Sequence, residues 1–197
     1  MRIDWELPEF RSGFYGIIDK LIGPGATPAE KKLQLYIPPL AGLFVVVQNY
    51  ISQFDWSITQ QLIAFLIAFD IAGGVITNST SSAKRWFHRE GQGFKEHMSF
   101  VLLHFSQIAL VNIFFMKFSL IWIGAVGGFL LLACALILQT PLYLRRTVAL
   151  MFYAISVLLS LYVFASPVHL EWFLPLLYLK LLVSHILREE PYRPDNE

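Results

Sequence analysis

The chain has 197 residues, 56% of them apolar and only 15% charged, with a mean hydropathy of +0.57. Soluble domains carry about a quarter charged residues, so this composition excludes an ordinary soluble protein and predicts an all-α, polytopic integral membrane protein of one domain. A net charge of +1 argues against nucleic acid as a partner, and a single cysteine, Cys134, allows neither an internal disulfide nor a thiolate metal site.

Residues 1–33 read as a cytoplasmic and interfacial segment. The opening MRIDWELPEF lacks the basic-then-apolar order of a secretory leader, so the first transmembrane span is expected to direct insertion. Phe10, Phe14, Ile17, Ile18 and Leu21 recur at helical spacing, with Asp19 and Lys20 off that stripe. This pattern predicts a short amphipathic helix in the membrane interface, ended by Gly23-Pro24-Gly25. Thr27-Pro28-Ala29-Glu30 then has the residues of a capping box with proline at the first helical position, the start of the first transmembrane helix.

Residues 34–187 contain six apolar segments near the length of about 20 residues that a bilayer core requires: 35–53, 60–79, 98–116, 119–138, 147–165 and 168–187. Lys117 and Ser119 mark a hairpin between the third and fourth, and Ala165-Ser166-Pro167 separates the last two. With six spans, Lys31, Lys32, Lys84, Arg85, Arg89, Lys95, Arg145, Arg146, Arg188 and Arg193 fall on one side. The positive-inside rule then predicts a multi-pass cell-membrane protein with both termini cytoplasmic and a solvated tail at 188–197. Gly124 and Gly128 form a GxxxG pattern with Gly127 beside it, which suits close packing within the chain or a homodimer face. Pro175 is expected to kink the sixth span and free the Glu171 carbonyl.

Polar residues on three spans share the inner half of the membrane. Asp70, Gly74 and Asn78 lie at i, i+4 and i+8 on span two; His97, His104 and Gln107 are on span three; Lys180, Ser184 and His185 are on span six. Ionisable groups at a helix centre cost at least about 2.5–3.5 kcal/mol on insertion, so they face protein or water. Lys180 leans away from the nearer surface, because side chains tilt toward the helix N-terminus, and pairing with Asp70 is expected. Between spans two and three, Asn78, Lys84, Arg85, His88 and Arg89 stand among hydroxyl residues as a lipid-headgroup or anion rim, with Trp86 and Phe87 at headgroup depth.

The leading expectation is a small membrane-embedded hydrolase or transferase acting on a lipid at the cytoplasmic leaflet. Asp70 and His104 would be central and His97 and His185 auxiliary, with membrane lipids as partners. A divalent metal on His97, His104 and Asp70 is the cofactor such donors would suit, although the histidines lack the tight HxxxH spacing of familiar membrane metal sites. Two other classes compete. Asp70, Lys180, His104 and Gln107 could line the path of a proton-coupled small-solute transporter or channel, or the polar residues could join helices in a non-catalytic scaffold or assembly factor.

Overall fold

The computed structural model describes residues 1–9 and 11–195. Phe10, the first member of the expected interfacial stripe, lies outside the described residues. The chain is mostly helical. In order, the elements are β1 (Arg2–Ile3), α1 (Gly13–Ile22), α2 (Pro28–Ser52), α3 (Ile58–Ser79), α4 (Ser81–Phe87), α5 (Phe94–Leu103), α6 (Phe105–Phe115), α7 (Leu120–Gln139), α8 (Leu142–Tyr162), α9 (Phe173–Tyr178, continued by a π-helix at Leu179–His185) and β2 (Tyr192–Arg193). Among the described residues, five helical rods are long and apolar enough to cross a membrane: α2, α3, α5 with α6, α7 and α8.

The sixth expected span differs. Residues 168–172 are turns, and the helix that follows has six α and seven π residues. At about 1.5 Å per residue it extends roughly 20 Å, short of the bilayer's ~30 Å core. Hydropathy cannot separate a lipid-facing helix from a central one, and this one is central: Leu174, Leu177, Tyr178, Leu181, Leu182 and Ile186 are fully buried. Pro175 lies in its first turn, where the missing N–H has no helical acceptor to lose, so it breaks no bond within the helix. A break within a helical rod occurs instead at His104, a turn residue between α5 and α6.

The ends of α2 and α3 are fixed by their caps. Thr27 Oγ1 accepts from the Glu30 N–H at 3.2 Å and the Glu30 carboxylate accepts from the Thr27 N–H at 2.8 Å. Ser57 and Gln60 form the same box for α3. The second oxygen of Glu30 accepts from the Ser82 N–H at 3.0 Å, tying the start of α4 to the start of α2. α2 and α3 then pack along their length at glycines. A Cβ on Gly42 would stand 2.7 Å from the Phe65 ring, and one on Gly73 would stand 3.1 Å from the Pro38 ring.

α1 turns its polar side to the protein. Asp19 is buried and paired with Arg11, while Phe14, Ile17 and Leu21 are exposed. Its C-terminal Gly23 has φ +85°, and a Cβ there would lie 2.4 Å from the Ser82 backbone, so the residue must be glycine on both counts. The chain ends also meet. β1 and β2 are antiparallel, with Arg2 opposite Arg193 and Ile3 opposite Tyr192. Tyr192 and Arg193, within the segment expected to be a solvated tail, are therefore paired with the N-terminal strand.

Candidate functional site

The Asp70–Lys180 pair is built by two elements. α3 carries Asp70, the π-helical stretch carries Lys180, and Gly74, one turn beyond Asp70, leaves the space between them. A Cβ on Gly74 would meet the Lys180 Cε at 2.1 Å. The Lys180 ammonium donates to the Asp70 carboxylate at 2.5 Å and to the Asp70 carbonyl at 3.2 Å. Gln107 Nε2 on α6 donates to the same carboxylate. Lys180 is buried, whereas the Asp70 side chain is about half exposed, at 51%. The lysine is thus an internal anchor, and the carboxylate is the face presented outward.

That face borders a cavity of about 480 Å³. Gly73, Gly74, Thr77 and Asn78 continue the Asp70 face of α3 along it, Gln34 and Pro38 come from α2, and Lys20 to Ile22 of α1 close one end. Phe69, Phe87 and Phe100 supply apolar wall. Both side-chain atoms of Gln34 and the Nδ2 of Asn78 are buried with no hydrogen-bond partner. Such a group costs roughly 1–3 kcal/mol each, more where no water can reach it. Gln34, Pro38 and Thr77 were missed by sequence reasoning; the available signal was a glutamine one helical turn before Pro38-Pro39, facing the Asp70 stripe.

The histidines form a neighbouring cluster rather than one centre with Asp70. His97 Nδ1 and His185 Nε2 share a hydrogen bond at 3.2 Å, and the His88 ring lies 4.7 Å from that of His97. His88 Nε2–H donates to the His185 carbonyl at 3.0 Å, and Phe100 stacks on His185 at 3.9 Å. His185 Nδ1 has no partner. His88 is pushed down to about 3 by burial and by its cationic and imidazole neighbours His97, Lys84 and Arg188. His104 donates Nδ1–H to the Phe100 carbonyl at 2.8 Å and lies within electrostatic reach of Asp70 and Lys180. The three expected metal donors are therefore not brought together. Among the described residues, no group of three or more His, Cys, Asp or Glu side chains is arranged to hold a metal ion.

The expected basic rim is largely committed to the fold. Lys84 is buried and donates to the carbonyls of Ser184 at 2.7 Å and Leu187 at 2.6 Å, capping the π-helix, with Glu189 at 3.4 Å. Arg85 is buried against Asp4, at 3.0 Å, and the Pro24 carbonyl. Arg89 donates to the Trp86 carbonyl and lies over its ring. Arginines do line open space elsewhere at this end: Arg145, Arg146 and Arg188 border a second cavity of about 520 Å³. Of the small-residue pattern, Gly127 packs on Phe105, while a Cβ on Gly124 or Gly128 would meet nothing.

Comparison with protein-family models, with curated proteins and with solved structures finds no match.

Proposed function

We propose that this is a small membrane-embedded enzyme, a hydrolase or transferase, that works on a lipid in the cavity beside Asp70. The observation that carries this reading is the asymmetry of the ion pair. A buried Lys180 holds Asp70 from behind, while the carboxylate stands half exposed in a largely apolar cavity. A carboxylate so held can accept the proton of an attacking hydroxyl, from water or from the lipid, as the new bond forms. Preorganisation by Lys180 and Gln107 spares the site any reorganisation during the step. His104, within electrostatic reach of both charges, is the residue through which that proton could leave.

The membrane setting has its own support. Five rods are apolar enough to cross, and pairing of β1 with β2 brings residues 2–3 and 192–193 to one end, which supports an even number of crossings. In this reading α9 with its π-helical continuation is the sixth, shorter than the bilayer core and enclosed by the other rods. Lys84, Arg145, Arg146 and Arg188 border one cavity at that end, as a cytoplasmic face would require. α1, polar side inward and apolar side outward, suits a helix lying in the interface at the mouth of the Asp70 cavity.

Proton-coupled transport is the second reading, and the contact chain of His88, His97 and His185 favours it. It predicts that Asp70→Asn abolishes pH-driven flux in proteoliposomes. The enzyme reading is tested by placing purified protein in nanodiscs made with a whole-cell lipid extract and following lipid masses over time. Conversion of one lipid class by the wild type, absent with Asp70→Asn, supports it. Identical lipid inventories for the two proteins would sink it.

A further inference from the structure

We infer that the lipid taken by the Asp70 cavity has an uncharged headgroup bearing both hydroxyl and carbonyl groups, of the diacylglycerol kind, rather than a phosphate. The inference rests on the reading of this cavity as a lipid site.

The charges inside cancel. Asp70 is matched by Lys180, and the remaining cation at the cavity, Lys20, is an exposed residue of α1 at its edge. The cations that would recognise a phosphate point elsewhere: Lys84 to the Ser184 and Leu187 carbonyls, Arg85 to Asp4 and Pro24. A phosphate entering here would face the exposed carboxylate of Asp70, whose own counter-charge is already engaged, with Lys20 at the edge as the one other cation of the lining. That arrangement repels it.

The unmet hydrogen-bonding capacity has the opposite character. Gln34 and Asn78 line the cavity and are more than nine-tenths buried, and two of their amide nitrogens and one amide carbonyl have no partner; these atoms lie just behind the wall and meet a ligand on rotation of the amide. These groups want carbonyl acceptors and a hydroxyl donor. The Asp70 carboxylate accepts a further hydroxyl. A glyceride with two ester carbonyls and a free hydroxyl supplies this set, and its acyl chains suit the wall of Phe69, Phe87, Phe100 and Pro38. A volume of about 480 Å³ accommodates such a headgroup with the first part of its chains.

The experiment uses the full chain in phosphatidylcholine nanodiscs with photoactivatable diacylglycerol or phosphatidic acid probes of identical chains, cross-links being mapped by peptide mass spectrometry. The diacylglycerol probe is expected to label the segments 34–38 and 69–78, competed by unlabelled diacylglycerol. Gln34→Leu and Asn78→Leu should each weaken that competition roughly ten-fold, the loss of one hydrogen bond to a buried amide. Gln34→Leu should also raise the melting temperature of lipid-free protein, since it removes an amide that has no partner in the empty cavity. Labelling of the same segments by phosphatidic acid, as strong as by diacylglycerol, overturns the inference but leaves the lipid site standing. Labelling of neither segment by either probe overturns both. A lowered melting temperature for Gln34→Leu also counts against the inference, because the amide would then be serving the fold.

Discussion

Lys180 reaches Asp70 across Gly74, and the missing Cβ of that glycine is what lets a buried ammonium meet a half-exposed carboxylate. The two residues lie 110 positions apart on separate helices, so the contact joins the second rod to the central helix. Removing one partner leaves the other charge uncompensated. Asp70→Asn or Lys180→Met alone should destabilise the protein by up to about 3 kcal/mol, toward the low end for broken buried pairs because Asp70 is exposed. The double variant should recover on the order of 1 kcal/mol or more relative to the sum. Additive losses in a detergent unfolding assay would mean the charges do not act as a pair.

Gly74 gives a steric test of the same contact. Gly74→Ala puts a methyl carbon where Lys180 now passes and should disrupt the pair nearly as much as losing Lys180. Gly73→Ala comes within 3.1 Å of the Pro38 ring, a tight contact but not an overlap, and should cost less. Gly124→Ala and Gly128→Ala meet nothing in the chain and should leave monomer stability unchanged within about 0.5 kcal/mol. A Gly74→Ala protein as stable as these two would rule out the close passage.

Lys84 is predicted to be structural. Its ammonium closes the end of the π-helical stretch through the Ser184 and Leu187 carbonyls. Each hydrogen bond from a charged donor contributes about 1.5–3 kcal/mol, so Lys84→Met should lower stability and speed hydrogen exchange at residues 184–190. Unchanged exchange there would return Lys84 to the list of candidate anion ligands.

Acid should loosen the protein in two separable steps. His88 is held down to about 3, so the unfolded chain takes up a proton below about pH 6.5 that the folded protein refuses. Stability therefore falls as pH drops from that value toward 3. For Asp4, burial pushes the carboxyl up, but the Glu6 N–H, Arg193 and Arg85 outweigh it and bring it below the ordinary range. Its contribution is present above about pH 3.9 and is lost as pH falls through the folded value. In melting curves against pH, His88→Gln should flatten the upper part and Asp4→Asn the lower. A His88→Gln profile parallel to wild type would remove the first step.

The sequence made the apolar rods legible because long uncharged runs have one physical use. It also carried the face of Asp70, Gly74 and Asn78, since helical spacing fixes which side chains share a side. It could not show that Lys84 and Arg85 are buried. Their acceptors, the Ser184 and Leu187 carbonyls and Asp4, are about 80 to 100 residues away, and a basic residue in a loop reads the same whether solvated or capping a distant helix. The length of the sixth segment was hidden for a related reason, because core leucines and lipid-facing leucines are identical in composition. Gln34 was passed over because a lone amide near a helix start is ordinary until a cavity is found beside it.

Native mass spectrometry of the detergent-released protein puts a lipid site beside Asp70 to the test, comparing wild type with Thr77→Trp, which fills the cavity from one wall. A retained lipid mass is expected on the wild type and its loss in the filled variant, with both proteins equally folded. Equal lipid retention by the two, or a bare chain in both, would contradict a lipid site beside Asp70.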